Sequence, residues 1–109
     1  MMEKFSVDAM ARELLERASA VPARRDAATV YGGHEHRLRQ TVVALAAGAE
    51  LAEHENPGEA TLLVLRWWVR LRTATASWEG RHGDLLVVPE ARHSRQALED
   101  AALLMTVAK

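Results

Sequence analysis

Residues 47–67 read AGAELAEHENPGEATLLVLRW. Gly48 marks a turn before a short strand that ends at His54. Asn56-Pro57-Gly58 is a tight-turn signal, and an apolar run follows at residues 61–65. The stretch therefore predicts two strands joined by a sharp corner that bears a histidine. A corner of this kind can aim polar side chains into the mouth of a barrel, where ligands and metals bind.

Length and composition predict a single globular domain. The chain has 109 residues, 49% of them hydrophobic, with a net charge of −1. Its 14 basic residues are interspersed with 15 acidic ones, so neither nucleic acid nor a membrane is an expected partner. Cysteine is absent, which excludes disulfides and cysteine-type zinc sites. No apolar run approaches a bilayer span, and the first residues lack the apolar core of a signal peptide, so we expect a cytoplasmic protein.

One helix is predicted at residues 7–20, where Val7, Met10 and Leu14 recur at helical spacing. Ser6 is the expected N-cap, and Pro22 ends the segment. We therefore expect residues 1–22 to form an N-terminal helix and residues 23–109 to form one barrel domain. The apolar stripe is narrow, so the helix is expected to cover a barrel opening or a neighbouring subunit.

After Pro22 the hydrophobic period changes to two, which is typical of strands. Strands are predicted at residues 27–31, 34–46, 61–72, 78–80, 85–88, 93–98 and 102–107, together with the short strand that ends at residue 54. Short strands at this spacing predict an all-β sandwich or closed barrel. In the predicted strand 34–46, His34, His36 and Gln40 share one face, but the pattern leaves open whether that face points inward.

Two spacings carry a family resemblance. Gly48 is followed after five residues by His54, and Gly83 is followed after five residues by Pro89, with His93 close behind. In both spacing and order, the chain resembles the small single-domain cupins over about residues 40–107. The resemblance implies an all-β jelly-roll barrel of cupin type, with one N-terminal helix.

The sequence departs from the cupin motifs at several positions. Asn56 stands where the first motif has its second histidine, Ala60 stands where it has a glutamate, and Glu59 comes one residue early. Trp67 stands in the position of the motif's last glycine. In the second motif Ala91 replaces a glycine, and His93 comes one residue early.

The resemblance implies a divalent metal site, because cupins commonly use three histidines and one glutamate to bind iron, manganese, nickel, copper or zinc. His54 and His93 are the first two expected ligands, and His36 is the expected third. Glu59 can join them only if the Pro57-Gly58 turn shifts the register of its strand, since adjacent side chains of a strand point to opposite faces. The expected pocket lining comprises His34, Gln40, Asn56, Trp67 and Trp68.

Trp67 carries a specific conformational expectation. A glycine in this position of the motif allows a tight turn with positive φ, and a residue with a side chain pays about 1–2 kcal/mol to adopt it. Either the turn is reorganised in this chain, or the tryptophan takes the strained conformation. Strand alternation would send one of Trp67 and Trp68 into the barrel and the other outward.

Two functions remain open at this point. The first is a barrel that binds a divalent metal through histidines together with a small organic molecule, and that supports oxygenase, isomerase or Lewis-acid chemistry if it is an enzyme. The alternative is a metal-free module that binds or senses a small molecule. A homodimer is expected, because a lone small barrel leaves sheet edges exposed. A group of arginines forms either a solvated strand face or a site for anions: Arg37, Arg39, Arg66, Arg70 and Arg72.

Overall fold

A computed structural model describes residues 3–54, 59–88 and 93–108 of the chain. One helix precedes a series of antiparallel strands. They are α1 (Val7–Ala20), β1 (Arg25–Tyr31), β2 (Leu38–Leu45), β3 (Glu50–His54), β4 (Glu59–Arg66), β5 (Trp68–Arg72), β6 (Ser77–Arg81), β7 (Leu85–Val87), β8 (His93–Ala97) and β9 (Ala101–Ala108).

The strands form two sheets that face each other. The five-stranded sheet has the order β1-β2-β9-β4-β7, and the four-stranded sheet has the order β3-β8-β5-β6. Apolar side chains from both sheets meet between them, including Leu45, Leu62, Leu71 and Leu103, all at most 1% exposed. Burial of this apolar core is the main force that holds the two sheets together. The prediction of an all-β jelly-roll with one N-terminal helix is therefore confirmed.

Helix α1 covers the outer face of the five-stranded sheet. The hydroxyl of Ser6 accepts a hydrogen bond from the Ala9 amide at 3.2 Å, as expected of an N-cap. The buried residues Ala11, Leu14 and Ala18 pack on small side chains of β2 and β9. The helix thus lies against the sheet and not over a barrel opening, because β2 and β9 present apolar residues on both of their faces. Within the described part of the chain, no helix is long and apolar enough to cross a membrane.

Strand β2 is shorter than predicted. Residues 34–37 alternate in the sequence like a strand, but the amide of His36 donates to the carbonyl of Gly33 at 3.1 Å and closes a turn. Gly32 precedes it with φ +130°, and a Cβ there would lie 3.1 Å from the Cα of Arg39. This close approach favours glycine and fixes the turn. The shared face predicted for His34, His36 and Gln40 therefore does not form.

The long strand predicted at residues 61–72 is broken at Trp67. This residue has φ +58°, and there the chain leaves β4 in one sheet for β5 in the other. Trp67 takes the strained conformation that its position in the motif suggested. Its side chain is 59% exposed, so little packing compensates the strain.

Replacing Trp67 with glycine should stabilise the protein by about 1 kcal/mol, with Tm rising by roughly 4 °C. Glycine relieves the strain of about 1–2 kcal/mol, and its larger entropy in the unfolded chain offsets part of the gain. Urea unfolding measures the difference. Trp78→Gly is the matched control: Trp78 is also exposed but lies inside β6, where glycine should destabilise. Equal losses of stability in both variants would contradict the prediction.

Candidate functional site

Strands β3 and β8 bring two of the predicted metal ligands into register. Their paired residues are Glu50 with Gln96, Leu51 with Arg95, and His54 with His93, with an irregularity between Leu51 and His54. Direct partners across an antiparallel pair are close neighbours on one face of the sheet. The backbone therefore places His54 opposite His93. Asn56 lies outside the described residues.

Two polar residues on β8 are buried inside the barrel. His93 is 0% exposed and Arg95 is 5% exposed, whereas the other buried residues in the described part of the chain are hydrophobic or glycine. They alternate with less buried neighbours along the strand, so both point between the sheets. Nη2 of Arg95 lies 3.5 Å from Nε2 of His93. The interior thus carries a positive charge next to a histidine.

The charge of Arg95 is poorly compensated. Its Nε is buried and has no hydrogen-bond partner among the described residues, and no described carboxylate lies within ion-pair distance of its guanidinium. Burial lowers the pKa of Arg95 below its ordinary value, yet an arginine stays protonated at neutral pH. An uncompensated buried charge costs several kcal/mol. A guanidinium in this state is a ready partner for an anionic group.

Arg95 borders a cavity of about 390 Å³ between the two sheets. Thr41, Val43 and Met105 line it from the five-stranded sheet, and Leu51 lines it from β3. At the rim, Nη1 of Arg25 donates to the carbonyl of Glu50 at 3.5 Å, which links the edge strands β1 and β3. The cavity therefore has apolar walls, a buried cation and an opening between two sheet edges, features typical of a small-molecule site.

A second cavity of about 260 Å³ shares Thr41 with the first. Arg39 and His34 line it, together with Gly32 and Gly33 of the turn before β2. The Nε of Arg39 is also buried with no hydrogen-bond partner in the described part of the chain. Both cavities border β1 and β2 and share Thr41 in their linings, and we call the two together the inner groove.

Three of the predicted site residues lie outside the barrel. The ring of His36 packs on Tyr31, with 4.8 Å between the ring centroids, and its Nδ1 lies 3.5 Å from Glu35. Gln40 donates to the hydroxyl of Thr106 at 3.3 Å on the outer face of the sheet. Glu59 is exposed, because Ala60 occupies the inward position on β4. The turn at His36 and the register of β4 thus keep these side chains from the interior.

Both tryptophans of the predicted pocket lie on the outside of the four-stranded sheet. Nε1 of Trp68 donates to Glu79 at 2.8 Å, and the guanidinium of Arg81 lies 4.2 Å from the centroid of the Trp68 ring. Trp67 is exposed beside it. The positive φ at Trp67 interrupts strand alternation, so neither ring enters the barrel.

The described residues contain no group of three His, Asp or Glu side chains close enough to hold a divalent metal. In addition, the guanidinium of Arg95 lies next to Nε2 of His93 and would repel a dication there. Of the four predicted ligands, His54 and His93 pair across β3 and β8, whereas His36 packs on Tyr31 and Glu59 is exposed.

Arg95 is the site residue that sequence reasoning missed. It lies two positions after His93 on a predicted strand. Any strand that points His93 inward must therefore point Arg95 inward as well. The alternation of inward and outward side chains along residues 93–97 would therefore have predicted that Arg95 points inward.

Comparisons with known proteins bear on the fold. No protein-family model matches the sequence, and no curated protein matches it. Among solved structures, the chain is similar to a conserved protein of unknown function from Streptococcus pyogenes, with a TM-score of 0.72 and 23% identity over 82% of this chain and 77% of that one. It is also similar to a cupin superfamily protein from Desulfitobacterium hafniense, with a TM-score of 0.70 and 19% identity over 84% and 85% of the two chains.

A third similar structure covers the whole chain. It is a cupin 2 conserved barrel domain protein from Salinispora arenicola, with a TM-score of 0.72 and 16% identity over 100% of this chain and 90% of that one. At these identities the likeness shows the fold. The chain thus folds as a small cupin-type barrel, as the motif spacings predict.

Proposed function

We propose that the barrel binds a small organic anion in the inner groove, and that this binding needs no metal ion. The observation that carries the proposal is Arg95, a buried guanidinium that borders a cavity while its Nε lacks an acceptor among the described residues. The metal-free alternative left open by the sequence is the one that these contacts support. Whether a reaction follows binding is a separate question from this proposal.

The cavity suits such a ligand in size and chemistry. A volume of about 390 Å³ falls within the range of small-molecule sites. Val43, Leu51 and Met105 supply apolar contacts, and Thr41 supplies a hydroxyl. Arg95 can hold a carboxylate by two parallel hydrogen bonds, which fixes the orientation of the ligand. The proposed anion would therefore be recognised by the buried charge of Arg95, by the shape of the cavity and by contacts with its apolar walls.

Isothermal titration calorimetry of the full chain with acetate, valerate and benzoate tests this function. At least one of these anions should bind with equal affinity in the presence and absence of a chelator. Arg95→Met should weaken that binding by at least about tenfold, because a charged hydrogen bond is lost. Arg70→Met is the matched control, since Arg70 lies on the outer face of the same sheet beside Glu79. The affinity of Arg70→Met for the anion should equal that of the wild type.

Two results would contradict the proposal. One is the absence of binding for all three anions. The other is binding that appears only after a divalent metal is added and that is lost in His93→Ala but not in Arg95→Met. The second result would instead support the metal-binding function, which the register of His54 with His93 favours.

A further inference from the structure

A cavity on the outside of the four-stranded sheet takes no part in the proposed function. It has a volume of about 400 Å³ and lies where the chain passes from β4 to β5. Two aromatic side chains and three polar ones line it together: Trp67, Trp68, Arg81, His82 and Glu99. None of these residues lines the inner groove. We call this second site the tryptophan cavity.

Trp67 is exposed in a backbone conformation that is unfavourable for a residue with a side chain. Its φ is +58°, and its side chain is 59% exposed, so burial does not compensate the strain. Residues held in such conformations cluster at binding and catalytic sites, where the strain serves to position a side chain. A role of Trp67 in binding would account for a strained, exposed tryptophan in the wall of a cavity.

Trp68 is fixed in place before any ligand binds. Its Nε1 donates to Glu79 at 2.8 Å, and its carbonyl accepts from the Leu98 amide at 3.0 Å. The guanidinium of Arg81 lies 4.2 Å from the centroid of the Trp68 ring and covers one face of it. Trp68 therefore forms a rigid wall of the tryptophan cavity, and Trp67 presents the more exposed aromatic surface.

The polar groups of the lining favour a neutral ligand with hydroxyl groups. Arg81 donates hydrogen bonds and Glu99 accepts them, and neither forms an ion pair within the described residues. A ligand with a net charge would meet a like charge in the same cavity. A purely apolar ring would take both charged groups out of water without giving them a partner. A hydroxyl group suits both, because it donates and accepts.

We propose that the tryptophan cavity binds a monosaccharide unit, with one face of the sugar ring against the indole of Trp67 and hydroxyl groups bonded to Arg81 and Glu99. The C–H groups on the face of a sugar ring are apolar and slightly positive, and the face of an indole is negative, so the two surfaces attract each other. Because the site is separate from the inner groove, sugar binding here does not depend on the proposed function.

Nuclear magnetic resonance of the isotope-labelled full chain tests this site with the methyl glycosides of glucose, galactose, mannose and N-acetylglucosamine. The chain has 3 tryptophans, and tryptophan-to-phenylalanine variants assign their indole N–H signals. At least one glycoside should shift the Trp67 signal along a saturable curve. The Trp78 signal should stay in place, because Trp78 does not line the cavity.

Trp67→Gly should weaken the binding of that glycoside by at least about tenfold, because the aromatic surface is lost. The same variant is expected to be more stable than the wild type, so its loss of affinity would not reflect unfolding. Trp78→Phe is the matched control and should bind as the wild type does. Arg95→Met should also bind as the wild type does, which separates this site from the inner groove.

Four results would overturn the proposal. The first is that no glycoside shifts the Trp67 signal, and the second is that Trp67→Gly binds as tightly as the wild type. The third is that Arg95→Met loses the binding, which would place the sugar inside the barrel. The fourth is that p-cresol, a neutral aromatic compound, shifts the Trp67 signal at lower concentrations than every glycoside, since the ligand would then be aromatic.

Discussion

Replacing Arg95 with methionine is expected to raise the free energy of unfolding of the ligand-free protein by about 2 kcal/mol, even though the same change is expected to weaken the proposed anion binding. The arginine is 5% exposed and faces a cavity without a described counterion, so its charge is a cost in the empty barrel. Methionine fills a similar space with apolar atoms. Its neighbours across the pairings of β8 are Leu51 and Leu71, which would pack on it.

Urea unfolding of the two proteins measures this effect. Arg95→Lys keeps a positive charge at the site and should not raise the free energy of unfolding. The comparison with Arg95→Met therefore isolates the effect of removing the charge. Arg70→Met should change stability by less than about 1 kcal/mol, since an exposed ion pair contributes little. A saturating anion should stabilise the wild type but not Arg95→Met, because it binds only the native wild type. A variant that is less stable than the wild type in the absence of ligand would refute the claim that Arg95 is uncompensated.

Replacing Leu103 with alanine should lower the free energy of unfolding by about 3 kcal/mol. Leu103 is 0% exposed on β9 and packs between the sheets, with Val43 and Val64 as its partners on the two adjacent strands. The cavity left behind cannot collapse easily, because strands on both sides hold its walls in place.

Leu104→Ala provides the comparison for this truncation. Leu104 is the next residue on β9, but its side chain is partly buried on the opposite face, against the helix cluster. The free energy of unfolding should fall about half as much in Leu104→Ala as in Leu103→Ala, because Leu104 buries less apolar area and α1 can shift to fill the space. Chemical unfolding of both variants measures the ratio. Equal losses would contradict the distinction between a core between the sheets and a second layer under the helix.

Much of the fold could be predicted because its signals are local. The N-cap at Ser6 and the stop before Pro22 each follow from one residue's conformational preference. The positive φ at Trp67 was one of two alternatives, and it was suggested by the glycine that the motif has in this position. The cupin-type spacings follow from turns that must occur at fixed distances in a jelly-roll. These features need no knowledge of what packs against them.

The orientation of the inner strands could not be predicted in the same way. Residues 42–46 are all buried, so β2 has no polar face to mark its outside. The sheet is covered on one side by the opposite sheet and on the other by α1, and an apolar run is typical of a strand in that position. For the same reason the sequence did not distinguish the inward Arg39 from the outward Gln40.

The motif spacings predict a site at one end of the barrel, and the structure describes part of that end. His93 lies inside the barrel end that the motifs indicated, opposite His54 in register. His36 lies in a local turn that the His36 amide closes on the carbonyl of Gly33, where the alternating pattern had predicted a strand. Arg95 was not predicted as a site residue, because a charged side chain on a strand is usually exposed to solvent. Its burial in the structure identifies it as a residue of the candidate site.

The rim between β1 and β3 has a consequence for the speed of ligand exchange. These edge strands belong to different sheets, and the contact between Arg25 and Glu50 that joins them is long, at 3.5 Å. Exposed side chains change rotamer within nanoseconds, so this contact opens without any movement of the sheets. For the anion that we propose, the residence time would then be governed by how slowly it separates from Arg95 inside the barrel.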